Sequence, residues 1–366
     1  MELKRHGLEP TCHQRRTELH RGYVEVQSTY MSRFSKTLIR LFLATVLIGL
    51  AAEISNAQAI SRETPITKIR EGAEAGNADA QLQLGFAYYK GTGVAQDDAE
   101  AARWFRKAAD AGDATAQFSL GLAYNSGRGV SKDFVEAMRW YRKAADAGNV
   151  SAQLLLGVNY QVGGAVTQDY GEATRWYRKA AEAGNADAQR FLGDAYFKGL
   201  GVKQDYAEGA RWFRRAAEAG HRAAQCALGV AYRNGEGVTQ DYGEAVRWLR
   251  KAADAGETEA AFYLGWAYQK GEGVTQDFAE GARWFRRAAD AGNVSAQCKL
   301  GWAYQKGEGV PQNYILAHMW VNLCTSGSGG DEQKVFAESR DEIAQKMTPQ
   351  EVAEAQRMAA EWKAKK

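Results

Sequence analysis

Cysteine and histidine are scarce in this chain, and so is any surplus of charge of one sign. Of four cysteines in 366 residues, Cys226, Cys298 and Cys324 lie beyond residue 59. An odd set without pairwise spacing excludes a disulfide framework as the organising principle of the fold. Only two of the five histidines, His221 and His318, lie beyond residue 59. Each lacks a second ligand at metal spacing, so no metal site is expected. There is no G-x-S-x-G elbow, H-E-x-x-H pair or Walker motif. Nucleophilic and metal-assisted catalysis therefore lack a candidate, and no cofactor is called for. Of 47 basic and 44 acidic residues, 8 and 5 fall in residues 1–59, and the remainder carries equal numbers. That balance argues against nucleic acid as a partner, and no polybasic run addresses an anionic membrane surface.

What the chain has in excess is glycine, 39 residues against 4 prolines, and glycine at that level needs a regular use. The use is a repeat. From Asn77 the sequence returns to itself every 36 residues, with further starts at Asp113, Asn149, Asn185, His221, Glu257 and Asn293 and no insertion to break the phase. Seven copies at fixed period mark a solenoid, in which each unit packs only on its neighbours.

Within the first repeat, Ala78 to Lys90 reads as a helix, here helix A, with Leu84, Ala87 and Tyr88 on one face. Gly91 stands where a helix terminus takes a left-handed residue, and Gly93 and Val94 complete a tight turn. Asp97 then begins helix B, with Glu100 three residues later. This spacing predicts a capping box in which each side chain satisfies a backbone N–H of the first turn. Six repeats carry the pair, which suits a structural device and not a single acid–base site. Helix B places Ala101, Trp104, Ala108 and Ala111 on its buried side and ends at Gly112, so Trp104, Trp140, Trp176, Trp212, Trp248 and Trp284 are expected to be packing residues.

The N-terminal segment reads differently. Arg33, Lys36 and Arg40 precede an apolar stretch from Leu41 to Ala52 interrupted only by Thr45, and Ala57-Gln58-Ala59 follows as a cleavage site. The stretch of about a dozen residues falls short of the roughly 20 that span a bilayer as a helix. Residues 31–59 are therefore expected to be a signal peptide cleaved after Ala59, placing the mature chain in the periplasm or outside the cell. Translation is expected to start at Met31, residues 1–30 being a non-native upstream extension. Residues 60–76 form an N-terminal half-repeat cap, 77–327 the seven repeats, and 328–366 a C-terminal helical cap with helices at about 331–346 and 349–363. Thr348, Pro349 and Glu351 supply a strong start signal for the last.

The pattern A-x-A-Q-x-x-L-G-x-A-Y-x-x-G-x-G-V-x-x-D-x-x-E-A-x-R-W-x-R-K-A-A-x-A-G, written out between Ala78 and Gly112, resembles the Sel-1-like repeat, a relative of the tetratricopeptide repeat. Departures are local: Asn159 for Ala, Ala165 for the second turn glycine, Ala261 for Gln, and Asn313 with Leu316 for the last capping pair. The resemblance implies an all-α, right-handed α/α superhelical solenoid and a non-enzymatic adaptor with a regulatory, assembly or host-interaction role. A polysaccharide-export assembly factor is an alternative. A cysteine-rich branch of the family is associated with β-lactam binding and hydrolysis, and its repeats carry a cysteine pair bridging each hairpin. Such pairs are expected to be missing here. Cys226 and Cys298 lie two repeats apart, beyond the roughly 7 Å limit, while Cys298 with Cys324 stays open.

If helix A lines a concave wall, its variable positions at spacing i, i+4, i+7 face a groove. In the first repeat these are Leu82, Phe86 and Tyr89. The middle row continues as Leu122, Val158, Asp194, Val230, Trp266 and Trp302. The expected partner-binding residues are Phe86, Tyr89, Leu122, Arg190, Asp194, Arg233, Phe262, Trp266, Gln269, Trp302 and Gln305, aromatic and Arg anchors being typical of interface hot spots. Trp266 and Trp302 have a second reading, stacking on each other between adjacent helices. The expected partner is another protein, the chain itself being a monomer with no stable membrane insertion.

Overall fold

The computed structural model describes residues 65–163 and 166–364, which divide into two compact bodies at Asp169/Tyr170. The N-terminal body contains α1 (Ile66–Glu74), α2 (Ala78–Lys90), α3 (Asp98–Asp110), α4 (Ala114–Ser126), α5 (Phe134–Asp146) and α6 (Val150–Val162). The C-terminal body opens with α7 (Tyr170–Glu182), α8 (Ala186–Lys198), α9 (Tyr206–Glu218), α10 (Arg222–Asn234), α11 (Tyr242–Asp254) and α12 (Thr258–Lys270). It continues with α13 (Phe278–Asp290), α14 (Val294–Lys306), α15 (Tyr314–Gly327), α16 (Gly330–Ala344) and α17 (Pro349–Ala364). No strand occurs among the described residues. In each body helix A packs along its own helix B, and helix B along the next helix A, which is the α/α solenoid arrangement. Among the described residues no helix is long and apolar enough to cross a membrane.

One leucine per helix A forms the spine of the core. Leu84, Leu120 and Leu156 are fully buried in one body, as are Leu192, Leu228, Leu264 and Leu300 in the other. The helix-B indoles of Trp104, Trp140, Trp176, Trp212 and Trp248 are buried as expected, Trp284 is half-buried, and the residue three further on lays its cation over each ring. Lys107 Nζ stands 3.9 Å from the Trp104 ring centre, and Lys143 Nζ 4.0 Å from that of Trp140. The constant glycine of helix A has its own reason. A Cβ on Gly229 would stand 2.7 Å from Leu249 Cγ, so only glycine lets the two helices approach this closely.

The capping box forms only by half. Asp97 Oδ1 accepts from the backbone N–H groups of Ala99 (2.9 Å) and Glu100 (3.0 Å), as the spacing predicts. The reciprocal arm is absent, because the Asp97 N–H donates to the Tyr88 carbonyl of helix A at 3.0 Å. Glu100 turns outward to Arg103 at 2.7 Å. The same backbone bond recurs between Asp205 and Tyr196 and between Asp241 and Tyr232. A complete box exists at Thr348, whose N–H donates to Glu351 Oε2 at 2.8 Å while its hydroxyl accepts from the Glu351 N–H at 3.3 Å. Asn313 also caps its helix, accepting from the Leu316 N–H at 2.9 Å.

Six of the seven helices A have a side-chain cap as well, at the first residue of the repeat, and Glu257 before α12 makes none. Asn77, Asp113, Asn149, Asn185 and Asn293 each accept from the N–H three residues on. His221 does so with Nδ1, 3.1 Å from the Ala224 nitrogen, while Nε2 lies 3.1 Å from Asp187 Oδ1. With Nδ1 accepting, Nε2 carries the proton and donates to the carboxylate. That bond holds Asp187 below the ordinary carboxylate range. We expect His221→Asn to preserve stability and His221→Ala to cost about 1 kcal/mol, the usual worth of an N-cap, in paired urea titrations. Equal midpoints for the two variants would show that the cap carries no weight.

Two further bonds tie neighbouring repeats. A buried glutamine of helix A donates to a carbonyl near the end of the preceding helix B: Gln117 to Ala109 (3.2 Å), Gln225 to Ala217 (3.1 Å) and Gln297 to Ala289 (3.4 Å). Where Ala261 replaces glutamine, Arg287 of α13 donates to the Ala253 carbonyl instead, so the departure from the pattern has a local substitute. An arginine of helix B donates to the tyrosine hydroxyl of the next helix A, as in Arg142 to Tyr160 (2.6 Å) and Arg214 to Tyr232 (2.5 Å). Asn159 bonds its own Leu155 carbonyl at 2.8 Å. Ala165 and the N-terminal segment, with the signal and start-site expectations, lie outside the described residues.

Cys298 and Cys324 are bridged, with Cα atoms 5.3 Å apart. The bond joins α14 to α15 and so closes the hairpin of the seventh repeat. The expectation that hairpin-bridging cysteine pairs are missing therefore fails at this one repeat, because helix pairing brings positions 26 residues apart into contact. Cys226 is a buried free thiol whose pKa is pushed well up by burial, which removes it from thiolate chemistry.

Candidate functional site

The residues singled out on helix A fall into three settings. In the N-terminal body, Phe86, Tyr89 and Leu122 come together in a small open recess with Asp98, Phe105 and Arg128. Phe86 is part of the wall and not a free anchor: it is buried and packs edge-on to Phe105 at 5.0 Å. Arg128 is fixed by Asp98, with its Nη2 at 2.9 Å and Nε at 3.2 Å from the two carboxylate oxygens. Its Nη1 donates to the Tyr89 hydroxyl at 2.6 Å. The hydrogen bond to Asp98 raises the arginine pKa and keeps the cation in place.

In the C-terminal body, Arg190 and Asp194 pair with each other one turn apart on α8. The Arg190 guanidinium also lies 4.1 Å from the Phe191 ring centre, and Phe191 stacks on Tyr177 at 5.0 Å. These two charges are mutually satisfied and offer a partner little unpaired charge.

The third setting spans α10, α12 and α14. Arg233 donates to Glu272 at 2.9 Å and stands 5.9 Å from the ring centres of Tyr263 and Trp266. Phe262 is half-buried, 5.6 Å from Tyr263 and 5.8 Å from Phe285. Among the described residues Trp266 and Trp302 form no ring pair. The ammonium of Lys299 lies between them, 4.2 Å from the Trp266 ring centre and 5.4 Å from that of Trp302. Trp302 is also covered from the tail: its indole N–H donates to Ser339 Oγ at 3.2 Å, and Phe336 lies 6.1 Å away. Of the two tryptophans, Trp266 is the one without a cover from α16. Gln269 and Gln305 are half-buried, and their backbone carbonyls accept from Gln276 and Gln312 at 2.9 Å.

The lysines were missed from sequence. Lys299 occupies a row whose other members are Gln83, Ser119, Leu155, Phe191, Ala227 and Tyr263, so its charge stands out only when the seven copies are compared at that position. Burial, and then the nearby Lys270 and Lys306, lower its pKa. Among the described residues no group of three or more His, Cys, Asp or Glu side chains could hold a metal ion.

The geometry defines an α/α repeat protein with a constant frame and a varied helix-A face. The Sel1 repeat profile matches residues 78–113, 114–149, 150–185, 186–221, 222–257, 258–293 and 294–322, and the chain belongs to this family. It is similar to a Sel1 repeat protein from Oxalobacter formigenes, with 36% identity and a TM-score of 0.60 over 76% of this chain and 79% of that one. It is also similar to c5321, a protective antigen present in uropathogenic Escherichia coli strains, at 29% identity and a TM-score of 0.46 over 80% and 85% of the two chains. Comparison with curated proteins returned no match.

Proposed function

We propose that this chain is a non-catalytic scaffold, exported to the periplasm or beyond, that holds a partner protein on its helix-A face in a regulatory, assembly or host-interaction role. Sel1 repeat proteins are in general protein-interaction scaffolds. The observation that carries the reading is the contrast within each helix A. The leucine, glycine and tyrosine that hold the frame stay constant, while the row from Phe86 to Trp302 changes in every character from aromatic to carboxylate. Export is supported by the basic, apolar and A-x-A order of residues 33–59 and by the Cys298–Cys324 bridge, a bond that persists in oxidising compartments.

The test is capture of envelope and secreted proteins on the full chain and on its Trp266→Ala variant, read by mass spectrometry. Trp302 is unsuited to this, since its truncation would also loosen α16. We expect a partner whose affinity falls about 30-fold on losing Trp266, roughly 2 kcal/mol, as for a hot-spot aromatic. The helicity of the variant should be unchanged. A partner held equally by both proteins would move the interface off this face. In the exported protein an N-terminus at Ile60 is expected, and one at Met31 would contradict cleavage.

A further inference from the structure

The setting around Trp266 has a chemistry of its own. Lys270, Lys299 and Lys306 converge on one edge of α12 and α14, and the Trp266 ring lies between two of their ammonium groups, 4.2 Å from Lys299 and 5.7 Å from Lys270. The acidic residues nearby are already engaged, Glu272 by Arg233 at 2.9 Å and Glu308 by Lys306 at 3.7 Å. Among the described residues neither Lys270 nor Lys299 forms an ion pair. Like charges brought together over aromatic faces are stabilised when an anion joins them. We infer that the face formed by Trp266, Lys270 and Lys299 receives an acidic segment of the protein partner, with carboxylates meeting the two lysines and an aromatic or aliphatic side chain resting on the indole.

This deepens the scaffold reading and rests on it. The chain itself supplies an example of the aromatic anchor at the neighbouring position. Helix α16 places Phe336 and Ser339 on Trp302, while its acidic Asp331 and Asp341 pair with Lys334 and Arg340 of the same helix. A helix with one aromatic anchor thus already fits the Trp302 half of this surface, and the Trp266 half, with its two lysines, is the part it leaves uncovered. The same cation and ring chemistry would suit single-stranded nucleic acid. Equal numbers of basic and acidic residues beyond residue 59 favour a peptide over a polyphosphate backbone.

The experiment is selection from a phage-displayed library of random 15-residue peptides on the full chain and, in parallel, on its Lys270→Glu/Lys299→Glu variant, with circular dichroism of both. Binders to the natural chain should carry net negative charge and at least one aromatic residue. The strongest of them, made synthetically, should lose about tenfold or more in affinity on the variant, and the variant should select basic peptides. Should the double variant lose helicity, Lys270→Glu alone, at an exposed position, provides the same comparison. Binders that are neutral or basic, acidic binders indifferent to the charge reversal, or no binders at all would overturn the inference. So would a labelled oligonucleotide that binds through Lys299 while no peptide does. If a partner is still captured in a Trp266-dependent way, the scaffold reading survives that failure; loss of both results removes both.

Discussion

Gly237→Ala is expected to cost about 2–5 kcal/mol, the sum of a strained backbone and a steric overlap. Gly237 lies in the turn between α10 and α11 at φ +73°, and a Cβ there would overlap the carbonyl of Tyr206 at the start of α9. The obstacle is backbone belonging to the preceding repeat, so no side chain can swing away to admit the methyl group. Gly220 provides the control. It has φ +87°, within the +86 to +95° of its counterparts at repeat ends, with nothing within 4 Å of its Cβ position, and Gly220→Ala should cost only the backbone strain of about 1–2 kcal/mol. Urea unfolding followed by circular dichroism distinguishes the two. Similar midpoints for both variants would mean that the close approach of successive repeats at this turn is not needed for stability.

Opening the Cys298–Cys324 bond is expected to destabilise the end of the array by about 3 kcal/mol, given the sequence separation of 26 between the two cysteines. Repeat stacks lose stability locally, because each unit contacts only its neighbours. The effect should therefore appear as faster hydrogen exchange in α14 to α17 and not in α8 or α9. A Cys298→Ala/Cys324→Ala variant should reproduce the effect of reductant and abolish any further response to it. Unchanged exchange on reduction, or two thiols found free by mass in the exported protein, would show that the bridge does not staple the hairpin. Cys226 should stay unalkylated until the chain unfolds, since it is buried.

The helices were legible because their stop and start signals are local and repeated. Gly91 and Gly112 close helices, Asp97 opens one, and seven copies average out any single ambiguity. What escaped was information carried by contacts between segments. The outward turn of Glu100 depends on the Asp97 N–H being already bonded to Tyr88, a backbone relation invisible in side-chain spacing. Phe86, Tyr89 and Leu122 line one recess, yet helical spacing could not show that Phe86 would be buried against Phe105. Lys299 entering between Trp266 and Trp302 depends on residues 33 and 3 positions away on two helices. The cover over Trp302 comes from a tail with no counterpart in the repeats. The bridge at Cys324 was left open for the same reason: its partner's distance is set by how α14 and α15 pair.

The bonds from arginine to the next tyrosine make the array a part that can be lengthened or shortened. Every donor at Arg70, Arg106, Arg142, Arg178, Arg214 and Arg250 meets a hydroxyl 18 residues on. Excising or duplicating one whole 36-residue segment therefore returns each donor to an equivalent acceptor, and any other length strands one of each. The exception marks where such growth stops. Arg286 gives up the tyrosine and turns to Asp290 on its own helix at 3.0 Å, so the last junction of this kind joins the fifth repeat to the sixth. Beyond it the sixth repeat, the bridged hairpin and the tail travel together as a fixed terminus.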